Sequence, residues 1–108
     1  MDEYLVTEDP KLPPTHPGEI LRKDVLPEMD ISITEAAREL RVSRQTLHRL
    51  LAEKIAVSPE MAVRLGKFCG NGPGLWLRLQ VAWDLYRAEQ RLREEINLIP
   101  MRGEANCE

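Results

Sequence analysis

Cysteine is scarce in this 108-residue chain: Cys69 and Cys107 are its only two. Their separation matches neither a disulfide framework nor a zinc-ligand spacing, so reduced cytoplasm is the expected setting and no metal or other cofactor is expected. Aromatic residues make up only 5% of the chain. No apolar run approaches the roughly 20 residues needed to span a bilayer, and the first residues are acidic where a leader would be basic then apolar, so no membrane partner is expected. No segment alternates polar and apolar residues with period two, which argues against strands. An overall basic excess is also missing, since the formal charge is -3 and the pI about 5.5. That rules out a chain that is basic all over, but not a local basic face. Residues 36 to 52 hold Arg38, Arg41, Arg44 and Arg49 against Glu39 alone, while residues 1 to 10 hold Asp2, Glu3, Glu8 and Asp9 and no base. A docked polyanion feels the local sign, because charges beyond a Debye length of roughly 10 Å are screened.

What remains reads as one all-α domain of five helices. Residues 1–16 combine the four acids with Pro10, Pro13 and Pro14, a composition that resists helix and predicts a mobile arm. The folded domain is expected over 17–95. Pro17 or Gly18 starts a first helix with Ile20, Leu21, Val25 and Leu26 on one side, and Pro27 is expected to end or tighten it. Ser32 and Glu35 have the spacing of a capping box, predicting a second helix from Ile33 to about Arg41. Ser43 caps a third, and Ser58-Pro59-Glu60 announces a fourth. The run Cys69 to Gly74 is glycine-rich, but a helix precedes it and the phosphate-loop spacings are absent, so it is read as a helix stop and turn. A fifth helix is expected from near Pro73 to about Glu95, with fraying and then disorder over 96–108.

The third helix has two faces. With Arg44 set at 0° and about 100° per residue, His48 falls near 40°, Gln45 near 100° and Arg49 near 140°, whereas Leu50, Leu47 and Leu51 fall near 240°, 300° and 340°. An ordinary solvated face would favour Glu and Lys. Arg can instead fork onto guanine O6 and N7, and Gln onto adenine N6 and N7, within a major groove about 12 Å wide. The second helix is short and is joined to the third by Arg41-Val42-Ser43, the spacing of a helix-turn-helix.

The stretch Ile33 to Leu51, I-T-E-A-A-R-E-L-R-V-S-R-Q-T-L-H-R-L-L, resembles the helix-turn-helix of the Cro and phage-repressor superfamily. Ala37 stands at the helix crossing, Val42 in the turn, and Leu47 and Leu50 as core anchors. Adding H-P-G-E-I-L (16–21), S-P-E-M-A-V-R-L-G-K (58–67) and L-W-L-R-L-Q-V-A-W-D-L (75–85), the chain is similar to HigA-type addiction-module antitoxins over about residues 16–88. The resemblance implies a lambda-repressor-like fold. It also implies that Ser43, Arg44, Gln45 and Arg49 meet operator DNA, Ser43 on phosphate and the others on bases, with His48 inside the same arc and its role open. Two positions depart from the pattern. Arg41 stands where many relatives have Gly, which would place it in the left-handed region at about 1 to 2 kcal/mol and add a phosphate contact. Ile33 replaces a common Gln and would remove one.

Leu75 to Tyr86 is apolar at nine of twelve positions, more than one core-facing stripe uses. The surplus is explained either by burial all round or by homodimerisation through Trp76, Leu79, Trp83 and Tyr86, the preferred reading, which would set two reading heads roughly 34 Å apart on a palindromic operator. No catalytic constellation can be assembled, and His16 is read as a loop residue, packed or exposed, rather than a ligand. The expected function is therefore a sequence-specific DNA-binding repressor, not an enzyme. By resemblance it would be the antitoxin of a type II toxin–antitoxin module, repressing its own operon and neutralising a HigB-type ribonuclease toxin of the RelE superfamily. The alternatives are a solitary regulator without a toxin and a helical protein-interaction module whose arginine face meets an acidic protein.

Overall fold

Pro17 has no amide hydrogen to leave unpaired, and the first helix starts there, behind a residue in extended backbone. The computed structural model describes residues 13–103. In it α1 consists of Pro17–Ile20, a π-helical turn Leu21–Val25, and Leu26–Met29, with helical dihedrals kept at both junctions. It is followed by α2 (Ile33–Leu40), α3 (Arg44–Leu51), α4 (Pro59–Cys69), α5 (Pro73–Arg91) and the short α6 (Arg93–Ile96). No strand occurs among the described residues, as an all-α fold requires. Six helices stand where five were expected because Leu92, at φ -102° and ψ 16°, breaks the last one. Most of the acidic arm, residues 1–12, and the end of the expected tail, 104–108, lie outside the described residues.

Pro27 does not end α1. The N–H of Leu26 reaches back five residues to the Leu21 carbonyl, and this wider turn loosens the coil just where the proline ring would meet the carbonyl four residues earlier. The helix stops at Asp30, which takes a left-handed φ of 55°. The capping box of α2 is half made. Ser32 Oγ accepts from the Glu35 N–H at 3.0 Å, but the Glu35 carboxylate turns forward to the Arg38 guanidinium. Ser58 caps α4 by accepting from Met61 N–H at 3.1 Å. At its far end Gly70, φ 80°, donates back to the Gly66 carbonyl, so the glycine-rich run is a helix stop.

The core is a shared one: Leu21 of α1, Ala36 and Leu40 of α2, Leu47 and Leu50 of α3, Leu65 of α4 and Trp76 of α5 are all buried. Each leucine so placed contributes roughly 1.5–3 kcal/mol of transfer free energy. Gln80 is buried with them, at 4% exposed. Its Oε1 accepts from the Val57 N–H at 2.8 Å and its Nε2 donates to Asp84 at 2.9 Å, which ties the loop before α4 to α5. Trp76 Nε1 donates to Asn71 Oδ1 at 3.0 Å. Among the described residues no buried side-chain nitrogen or oxygen lacks a partner.

His16 belongs to the folded part, one residue before the expected boundary at 17. It is 3% exposed, and its Nδ1 accepts from the Gly18 N–H at 2.9 Å as the cap of α1. Gly18 is required there: a Cβ would lie 1.9 Å from the Leu50 carbonyl oxygen. The start of α1 therefore rests on the backbone at the end of α3.

Candidate nucleic-acid interface

Ser43 sets the start of α3. Its Oγ accepts from the Thr46 N–H at 2.9 Å and donates to Thr46 Oγ1 at 2.8 Å, so the hydroxyl is committed at both ends to the helix cap. Behind the cap Leu47, Leu50 and Leu51 are buried at 1%, 0% and 5% exposed. Arg44, Gln45, His48 and Arg49 are exposed, together on the other side. The helical wheel thus translates into space: three leucines anchor the helix and four polar side chains are presented.

Arg41 occupies the turn at φ 63° and ψ 42°, the left-handed conformation where glycine is more usual. Its side chain is exposed. The turn is held from α4, where Arg64 Nη1 donates to the carbonyl oxygens of Leu40 at 2.9 Å and Arg41 at 3.2 Å. Arg44 Nη1 also lies 3.4 Å from Thr34 Oγ1, linking the first residue of α3 to the first turn of α2.

Arg38 contributes less to the basic face than its charge suggests. It is bonded by two nitrogens to Glu35 and lies 3.9 Å from Glu39. The Arg38 guanidinium holds the Glu35 carboxyl below the usual carboxylate range. The positive charge on this face thus rests with Arg41, Arg44 and Arg49.

The residues proposed for a second-copy contact are placed unevenly. Trp76 is 1% exposed and belongs to the core, so it is not presented to a partner, whereas Leu79 is half-buried and packs against that core. Trp83 is half-buried between the His16 ring, Tyr86 and the Arg87 guanidinium, which lies 5.6 Å from its ring centroid. The large apolar side chains that α5 exposes are Val81 and Leu85, at 60% and 56%, with Leu92, just past its end, at 46%. Spacing alone could not separate the two faces, because both are apolar.

Arg22 and Arg64 were also missed as contributors to the site. The signal for Arg64 was a cation on the apolar side of α4, three residues after Met61 and four before Phe68; the π turn hid the corresponding placement of Arg22. Among the described residues no group of His, Cys, Asp and Glu could hold a metal, and no helix is long and apolar enough to cross a membrane.

A helix-turn-helix family model matches residues 21–76. A transcriptional regulator of Escherichia coli, YddM, is 42% identical over 74 residues, covering 68% of this chain and 78% of that protein. The structure of Pseudomonas aeruginosa antitoxin HigA with the higBA promoter is 36% identical, with a TM-score of 0.77 over 82% of this chain and 96% of that one. Antitoxin GraA in complex with its operator is 41% identical, with a TM-score of 0.79 over 87% and 95%. With the capped α2-turn-α3 unit, the exposed arc on α3 and these likenesses together, the chain belongs to the helix-turn-helix family of DNA-binding regulators, in the branch that holds the HigA-type antitoxins.

Proposed function

We propose that this protein is an operator-specific repressor and the antitoxin of a type II toxin–antitoxin pair, reading DNA through α3. The observation that carries the DNA assignment is the exposed arc of Arg44, Gln45, His48 and Arg49 on a helix whose other side is wholly buried. Arg44, Gln45 and Arg49 are assigned to base edges, and His48 shares their arc. Arg41 and Ser43 are assigned to phosphate. Ser43 already uses its hydroxyl in the cap, so it serves phosphate through the anion-friendly N-terminus of α3 rather than as an independent donor. Autorepression and neutralisation of a HigB-type ribonuclease are supported by the likeness to HigA-type antitoxins.

A second copy is assigned to α5. At about 100° per residue Val81, Leu85, Ala88 and Leu92 fall within an arc of about 60°, on the side of the helix away from Trp83. Their 4-3-4 spacing is that of a two-helix seam, and the exposure of Val81, Leu85 and Leu92 leaves that seam open. Two chains joined there would present two α3 helices to a palindromic site.

A footprint on the DNA upstream of the protein's own gene tests the repressor reading. A protected palindrome with two half-sites is expected, and protection no better than that of random duplex would refute it. Co-expression with the neighbouring reading frame tests the pair: a toxic neighbour should be rescued by this protein, and a harmless one leaves a solitary regulator, the reading closest to the name of the YddM relative.

A further inference from the structure

Two arginines from outside the helix-turn-helix donate into the ends of its two helices. Arg64 of α4 bonds the Leu40 and Arg41 carbonyls at the end of α2. Arg22, in the π turn of α1, donates to the Leu51 carbonyl at the end of α3 and lies 3.4 Å from the Glu53 carboxylate. The last four carbonyls of any helix lack an intrahelical partner, and they form its negative end, so a guanidinium is well suited to hold them. Arg64 also holds Arg41 in its left-handed turn, which fixes where α3 begins. Arg22 fixes where α3 ends, beside the Gly18 backbone packed on the Leu50 carbonyl.

The leverage matters because α3 is short. Its eight residues span about 12 Å, so a tilt of about 10° about its far end moves its first residue by about 2 Å. Productive side-chain geometry at a binding site tolerates about 0.5 Å. Sequence reading by Arg44 and Gln45 thus depends on the angle of α3 more than fold stability does.

We propose that Arg22 and Arg64 are positioning residues for sequence reading: they hold the two ends of α3 at the angle that brings Arg44, Gln45 and Arg49 onto base edges, without themselves touching DNA. This rests on the base-reading assignment of α3. Arginine is suited to it because Nη1 of Arg64 carries two hydrogens and reaches both carbonyls, on a planar group that loses less freedom per hydrogen bond than a lysine ammonium on its flexible stem.

The test uses the full chain with Arg22→Met, Arg64→Met, the double variant, and the corresponding Lys variants. Affinity is measured at several salt concentrations on the operator fragment and on a scrambled duplex of equal length, at a temperature where melting shows every chain folded. The double Met variant should lose operator affinity by about tenfold, the order of one lost bidentate base contact, while its affinity for the scrambled duplex stays within about twofold and its salt slope is unchanged. The Lys variants should fall between wild type and Met, and they carry the comparison if a Met variant does not fold. Equal losses on both duplexes, with a salt slope reduced by about one per arginine, would make the residues phosphate contacts and overturn the proposal. Operator preference unchanged despite lower melting temperature would make them stabilising caps only, and also overturn it. A wild-type chain that does not distinguish the duplexes would instead overturn the base-reading assignment, and the proposal with it.

Discussion

The imidazole of His16 meets the indole of Trp83 edge-on, with ring centroids 5.4 Å apart and planes at 76°. Through this contact the cap of the first helix is tied to the fifth. His16 Nδ1 accepts a hydrogen bond, so that nitrogen carries no proton in the fold.

Acid should therefore weaken the protein in a window set by His16. Burial pushes the imidazole below its ordinary value, and Glu53, Asp84, Glu19 and a backbone hydrogen bond at Ile55 pull upward without reversing it. The unfolded chain takes up the proton first. The stability contributed by the neutral ring is complete above about pH 6.5, is lost as pH falls toward the lower folded value, and changes no further below it. Melting temperature measured from pH 8 to pH 5 should show this step, and His16→Asn, which keeps a capping oxygen, should flatten it. An unchanged step in that variant assigns the effect elsewhere.

Gln80→Leu should cost about 1–3 kcal/mol. It keeps the volume roughly but leaves the Val57 N–H buried without its acceptor. Urea unfolding monitored by tryptophan fluorescence measures the loss, and a variant as stable as the wild type would show that the loop before α4 finds another partner.

Gly18→Ala adds one methyl group and should still destabilise by about 1–3 kcal/mol, since its Cβ would lie 1.9 Å from the Leu50 carbonyl oxygen. A backbone oxygen cannot swing aside as a side chain can. Calorimetry on this variant checks the closeness of α1 to α3, with wild-type stability as the refuting result.

Arg41→Gly should move stability and DNA affinity in opposite directions. Glycine removes the left-handed strain at φ 63°, worth about 1–2 kcal/mol. It also removes a cation assigned to phosphate, so binding to any duplex should weaken and the salt slope should fall by about one. Loss of stability would mean that the Arg41 side chain contributes more to the fold than its strain costs.

Arg44→Ala and Gln45→Ala should each lose about 1–3 kcal/mol of discrimination at their own base pairs and leave the helix folded. Leu47→Ala, at 1% exposure, should instead lose about 2–5 kcal/mol of fold stability. Selection of preferred sites from a random duplex pool, beside circular dichroism, separates the two classes. Wild-type preferences in the first pair would remove the base-reading assignment.

The faces of α3 were legible because helix period, cap and residue type agree there: Ser43 accepts from Thr46, the leucines are buried and the polar arc is exposed. Arg41 in the left-handed region was legible only through the resemblance, because it stands where many relatives have Gly. Pro27 misled because proline's local preference yields when the preceding turn widens. The face of α5 misled because a nearly all-apolar helix gives periodicity nothing to contrast, and only tertiary packing puts Trp76 inside and Val81 outside. Long-range hydrogen bonds such as Gln80 to Val57 leave no local pattern to read.

The division of α3 between anchor and arc also bears on how such a protein changes over time. Positions 44, 45, 48 and 49 can vary with little effect on folding, whereas 47, 50 and 51 cannot. Under the base-reading assignment proposed for this arc, new operator preferences are reachable one substitution at a time on a fold that stays intact. A library confined to those four positions would explore binding specificity on a scaffold that remains constant.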